Sequence, residues 1–288
     1  MAIIISSGIT IGGGLSITAA PPPPAAGVWS AGGNMGTGRG YLGGAGTRSA
    51  GLAFGGTTPT VLASTEAYNG TSWSAGGALV SARSMLAGAG TQTAALAIGG
   101  MNNVGSTNFE TNKYDGTTWT TSGFMGTARY SLAGAGTQTA GLAFGGYKSP
   151  SYRTVAEQYD GTTWSAGGTM ATGRLGLAGA GTQTAALAFG GSSGTATEAY
   201  DGTSWSTGGN MGTGRKYLGG AGTQSAGLAF GGTTGSVTTA TEEYDGTAWS
   251  TGGALATARQ YLAGAGTQAL GLAFGGKAAL VATEAYTK

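Results

Sequence analysis

Tyr159-Asp160-Gly161-Thr162-Thr163-Trp164 is the stretch whose recurrence decides the fold. The same hexad returns at residues 114–119, 200–205 and 244–249, and at residues 68–73 with Asn69 in the Asp position. Asp-Gly between β-prone residues is a strong hairpin signal, because the tight turn needs a backbone that tolerates positive φ. Each copy therefore reads as two strands joined by a short turn. Two residues stand as halves of a sixth copy. Trp29 has no Tyr-Asp-Gly before it, and Tyr286 has no Trp after it.

Outward from the hexad the chain is periodic. Tryptophans fall at 29, 73, 119, 164, 205 and 249, at intervals of 44, 46, 45, 41 and 44 residues. A fixed period of this size marks a repeat architecture. Each unit divides into four short pieces, exemplified by residues 132–138 (Leu-Ala-Gly-Ala-Gly-Thr-Gln), 142–146 (Leu-Ala-Phe-Gly-Gly), 157–159 (Glu-Gln-Tyr) and 164–168 (Trp-Ser-Ala-Gly-Gly). All are too short for an ordinary helix, alternate at period two and are bounded by turn residues. Four short antiparallel strands per unit, with glycine and aromatic residues recurring in each, predict β-propeller blades.

The alternation has a packing consequence. Leu142 and Phe144 share one face and Ala143 takes the other, as in Leu52/Phe54, Leu187/Phe189, Leu228/Phe230 and Leu272/Phe274. The bulky face of one blade is expected to fill the shallow face of the next. The first strand is almost all Ala and Gly, which suits the crowded axis of a ring. Counting gives six second strands, with Ile98 replacing Phe in one. The final unit lacks a Trp strand of its own, and the Trp29 strand is left to supply it. The expectation is an all-β, six-bladed propeller with four-stranded antiparallel blades, its last blade closed by the N-terminal Trp29 strand so that no edge stays open.

Composition narrows the chemistry. Only 8% of residues are charged and the net charge is +2, which gives no argument for nucleic acid. With no Cys and no His there is no disulfide, thiolate nucleophile, Ser-His-Asp triad or imidazole metal ligand. No apolar run approaches the about 18 residues of a membrane span, and the N-terminus has no basic region of a signal peptide. Residues 1–19 are rich in Ile, Ser and Gly and read as a β-type attachment segment. Residues 20–27, with Pro21 to Pro24, read as a stiff linker, and residues 28–288 as the propeller.

The Gly-Gly doublet, then a Tyr, then a Trp about five residues later, then an Arg opening the next unit, resembles the kelch repeat. The resemblance covers residues 28–288. The chain departs from typical kelch domains in its Gly/Ala richness and near-identical units. In that style, and in its short Ile/Ser/Gly N-terminus, it resembles the kelch-like structural proteins of tailed bacteriophages. The resemblance implies a kelch-like propeller in a virion, assembled in the host cytoplasm and exposed on the particle as a tail-fibre, baseplate or appendage component. It implies docking to other virion proteins through the N-terminal segment, and a host-surface glycan or protein as the other partner. The Ile-rich N-terminus fits a homo-oligomer. The alternative is an extracellular, lectin-like glycan-binding propeller.

Three sets of residues are candidates for chemistry. Arg39, Arg83, Arg129, Arg174, Arg215 and Arg259 recur before the first strand, and Glu66, Glu157, Glu198, Glu242 and Glu284 stand two before the tyrosine. The second unit has Asn112 in the glutamate's place, with Glu110 two residues earlier; recurring in this way the two sets read as structural ties, although a ring of arginines could also hold an anion. Asp115, Asp160, Asp201 and Asp245 are one per unit and far apart in sequence, unlike a calcium site, so no metal is expected. No pair of carboxylates is singled out as a catalytic dyad, so no enzyme activity and no cofactor are expected. The units diverge in the link between Gly-Gly and the tyrosine strand. There the second and third units carry Asn102, Asn103, Phe109, Tyr147, Lys148, Tyr152 and Arg153. Their aromatic, cationic and amide character makes them the candidate binding residues.

Overall fold

The computed structural model describes residues 9–11, 15–17, 26–192, 194–278 and 280–288. Every regular element among them is a β-strand. Six sheets of four antiparallel strands form the body of the molecule, with three two-stranded ribbons besides among the described residues. The first blade runs Gly43–Gly46, Gly51–Phe54, Thr65–Tyr68 and Trp73–Gly76, from the inside outward. The innermost strands touch one another in a closed cycle, which makes the six sheets a ring.

The last blade is assembled from both ends of the described propeller. Ala263–Gly266, Gly271–Phe274 and Thr283–Thr287 pair with Val28–Ala31, in a register that sets Trp29 opposite Tyr286. This is the pairing that Tyr68 makes with Trp73 inside one hairpin. The orphaned halves of the sixth copy thus meet. In the N-terminal segment, Ile9–Ile11 pairs antiparallel with Leu15–Ile17, while Pro21 to Pro24 of the expected linker lie outside the described residues.

The core lies between blades. Leu142 and Phe144 of the third blade pack with Ala186 and Ala188 of the fourth, and Leu96 and Ile98 of the second pack with Ala143 of the third. All are fully buried. At roughly 1.5–3 kcal/mol for each large side chain, this repeated bulky-into-shallow fit is the main stabilising contact.

Polar ties fix the register of the ring. Each Gly-Gly doublet needs left-handed backbone twice, as at Gly55 and Gly56 (φ 64° and 94°). There the Gly56 N–H donates to the Arg83 carbonyl of the next blade at 2.8 Å. Glutamines in the first turn donate back to the preceding blade, as Gln183 does to the carbonyls of Gly141 and Tyr159. The indole N–H of each tryptophan also reaches back one blade, to a threonine hydroxyl. The pairs are Trp29–Thr241, Trp73–Thr283, Trp119–Thr65, Trp164–Thr111 and Trp249–Thr197, each at 2.9 Å. Trp205 breaks the pattern. Ala156 stands where the others have threonine, and the buried Trp205 Nε1 has no partner.

Candidate functional site

The first strands of all six blades end on one face of the ring in the inner turns, and the third strands of the first five end there in Asn-Gly or Asp-Gly hairpins. On that face Asp160 Oδ1 accepts hydrogen bonds from the Thr162 and Thr163 N–H groups, and Asp115 and Asp201 do the same in their own hairpins. These bonds hold the aspartates well below the usual carboxylate range, and Asp201 falls to about 2. Every aspartate is therefore engaged in its own turn. The other face carries the blade-to-blade crossovers and the divergent loops, and there the repetition stops.

At its centre, six residues just before the first strands surround the axis: Tyr41, Met85, Ser131, Gly176, Tyr217 and Tyr261. All six have positive φ, between 50° and 64°. The cause is a closed ring of backbone hydrogen bonds. Met85 N–H donates to the Tyr41 carbonyl, Ser131 to Met85, Gly176 to Ser131, Tyr217 to Gly176, Tyr261 to Tyr217 and Tyr41 to Tyr261, at 2.6 to 2.9 Å. The left-handed backbone turns each N–H along the circumference and each side chain into the mouth. The side chains differ where the backbone does not. Tyr41 and Tyr261 stack at 3.8 Å between ring centres, and Tyr261 and Tyr217 at 4.1 Å. The Tyr217 ring fills the space that a Cβ at Gly176 would need. Half of the mouth is therefore an aromatic fan, and the other half is the low rim of Met85, Ser131 and Gly176.

The divergent loops extend the aromatic surface. Tyr147–Lys148 and Ser151–Tyr152 form a two-stranded ribbon. On it Tyr147 lies 5.3 Å from Tyr152 and 5.6 Å from Tyr130, between ring centres. Burial raises the Tyr217 hydroxyl, with Tyr41, Tyr130 and Tyr152 adding to the effect, so the ribbon and the fan share one electrostatic neighbourhood. Burial and the neighbouring hydroxyls of Tyr41 and Tyr217 push Tyr261 far above its ordinary value. Of the twelve tyrosines, six belong to the repeated strands. The other six, Tyr41, Tyr130, Tyr147, Tyr152, Tyr217 and Tyr261, all lie on this face.

Cations without an ion pair among the described residues occur on both faces, with Arg48 and Lys113 beside the turns. Lys148, Arg153, Lys216 and Lys277 belong to the tyrosine-bearing face, and none forms an ion pair among the described residues. Lys216 stands 5.5 Å from the ring centre of Tyr217, and Arg153 Nε is buried without a partner. The carboxylates are occupied elsewhere. Glu66, Glu157, Glu198, Glu242 and Glu284 pair with the repeated arginines. Glu110 is held by Ser81, Asn112 and Thr121. Glu243 accepts from Tyr286 and Lys288 where the ring closes.

The sequence-level candidates separate accordingly. Tyr147, Lys148, Tyr152 and Arg153 come together on the third-blade ribbon. Asn102 is spent within its own loop, where its Oδ1 accepts from the Val104 and Ser106 N–H groups. Asn103 is exposed beside it. Phe109 packs against Phe124, both half exposed, on the same loop side. The six repeated arginines are buried, and none faces solvent to hold an anion. Five bind the glutamate of their own blade; burial lowers their pKa and the carboxylate offsets part of that. Arg83 meets Asn112 in place of a glutamate, and burial lowers it to about 10. Among the described residues no three Asp, Glu, His or Cys side chains converge as a metal site.

The axial residues escaped the sequence reading, which placed the divergence only in the outer loops. The signal was present. Aligning the units on Leu-Ala-Gly-Ala-Gly puts Tyr41, Met85, Ser131, Gly176, Tyr217 and Tyr261 in one column, the most varied next to a constant strand. Compared with models of known families and with curated proteins, the chain matches none, so its assignment as a six-bladed propeller rests on its strand pairing.

Proposed function

We propose that this protein is a non-enzymatic recognition platform of a phage particle, a kelch-like tail-fibre, baseplate or appendage component. In this reading the N-terminal segment docks to other virion proteins and the tyrosine-bearing face meets the host surface. The observation that carries it is the contrast between the two faces. One face repeats self-satisfied turns, six inner turns and five hairpins. The other collects every non-repeat tyrosine and four unpaired cations. Rigid scaffolds place recognition on their divergent loops, and tyrosine supplies large contact area at low entropic cost.

The engaged state of the carboxylates supports a binding role over hydrolysis, since a glycosidase needs two positioned acids facing a substrate. The virion assignment rests on the kelch-like repeat style and on the order of anchor, linker and ring. A mass-spectrometric inventory of purified particles tests it: the chain should be present at constant stoichiometry, and its absence contradicts the proposal. The lectin-like reading is the alternative, favoured by the same aromatic and cationic surface. It predicts saturable glycan binding by the isolated chain without any particle.

A further inference from the structure

The tyrosine-bearing face has a concave seat of useful size. A groove of about 410 Å³ lies between the last blade and the first, lined by Gly40, Tyr41, Thr57, Thr58, Pro59, Lys277 and Ala278. It coincides with the only unit whose crossover has glycine at this position. The other five carry Ser84, Tyr130, Leu175, Lys216 and Gln260. At Gly40 a Cβ would meet the Gly276 carbonyl group at 3.0 Å and the Lys277 nitrogen at 3.1 Å. The absence of a side chain thus lets the Lys277 loop close in, and the Lys277 N–H donates to the Gln260 carbonyl at 2.8 Å.

The lining has the chemistry of a sugar seat. Tyr41 offers an aromatic ring, Thr57 and Thr58 offer hydroxyls, and Lys277 offers an exposed cation. Among the described residues no carboxylate lines the groove. Across the mouth the same sign continues in Lys216 and Arg153. Such a field attracts an anion and repels other cations. A neutral sugar would make no use of it.

We propose that this groove seats one residue of an acidic saccharide, its ring against Tyr41 and its carboxylate or sulfate on Lys277. Further acidic residues of the same saccharide run across the mouth toward Lys216 and Arg153. The proposal rests on the reading of this face as the recognition surface and names what it recognises.

Isothermal titration calorimetry of the full chain tests it, with sialyllactose, sulfated N-acetyllactosamine and neutral lactose as probes. The acidic probes should bind at least about tenfold more tightly than lactose, and raising the salt should weaken only them. Tyr41→Ser, which installs the residue that the third unit carries at the same backbone position, and Lys277→Gln should each weaken the acidic probes by about tenfold. Arg48→Gln, on the opposite face, installs the residue of the other five units and should leave binding unchanged. Equal affinity for lactose, no binding of any probe, or unaltered binding by Lys277→Gln overturns the proposal. Adsorption of the chain to susceptible bacterial cells separates the two readings. If no saccharide binds but adsorption is lost on combining Tyr41→Ser, Arg153→Thr and Lys216→Gln, the saccharide falls and the recognition face stands. If adsorption is untouched by that combination, both fall.

Discussion

Single residues show how the ring uses its near-identity. Trp205 is an indole whose N–H lost its acceptor because one unit has Ala156 in place of threonine. Ala156→Thr should restore the bond that five other tryptophans make. A neutral hydrogen bond to a buried donor contributes about 1 kcal/mol, so urea denaturation should show a gain of that order. The arginine–glutamate ties work in the other direction. Removing one partner of a buried pair strands the other, and Glu157→Ala should cost about 3–5 kcal/mol in the same assay. The aspartate turns add a pH dependence. Asp201 titrates at about 2 in the folded chain against an ordinary 3.8. Its contribution is therefore complete above the ordinary value and is lost as pH falls toward the folded one. Asp201→Asn should flatten the acid side of a stability-versus-pH curve. Asn69, the neutral counterpart, already makes the same backbone contacts in the first hairpin.

Between elements, the decisive contact is the non-local one. Val28–Ala31 completes a blade whose other strands begin at Ala263. There Trp29 packs on Tyr286 and Phe230, at 4.9 and 5.0 Å between ring centres. A chain starting at residue 33 leaves that blade three-stranded, with an open edge and an uncovered aromatic core. Its thermal midpoint should drop, and a synthetic peptide of residues 26–32 should restore it in a concentration-dependent way, as any ligand of the folded state does. A truncated chain that melts like the full one would contradict closure by this strand. This pairing was legible in the sequence, because Trp29 and Tyr286 are unmatched halves of a motif with five complete copies. The Leu/Phe and Ala alternation likewise foretold which face of each blade is bulky. The axial mouth was legible only as a varied column before a constant strand, and its geometry was not. What unites Tyr41, Met85, Ser131, Gly176, Tyr217 and Tyr261 is a left-handed backbone locked into a ring of hydrogen bonds, and only Gly176 advertises that conformation by its residue type. The loop of Tyr152 and Arg153 stands out in the sequence because it diverges visibly from the other units. The turn-closing role of the Asn102 Oδ1 was not legible, because an amide that closes its own turn looks the same in sequence as one that waits for a ligand.

For the whole molecule, the closed ring is a way to hold one surface still. Five glutamine clamps, the indole bonds, the Gly-Gly contacts and the axial ring all run from blade to blade, so motion of one blade is resisted by both neighbours. The turn face diverges at few positions, such as Arg48 and Asn69, and the other face carries most of the divergence. The central claim is that recognition runs through the tyrosine-bearing face. Its most direct test is adsorption of the purified chain to susceptible bacterial cells, measured for two multiple variants. One carries Tyr152→Ser, Arg153→Thr, Lys216→Gln and Lys277→Gln on the tyrosine face. The other carries Arg48→Gln, Asp115→Asn, Asp160→Asn and Asp201→Asn on the opposite face, and both are checked for the wild-type thermal midpoint. The account predicts that the first loses adsorption by about a hundredfold while the second keeps it; equal adsorption by the two variants, or loss confined to the second, would contradict it.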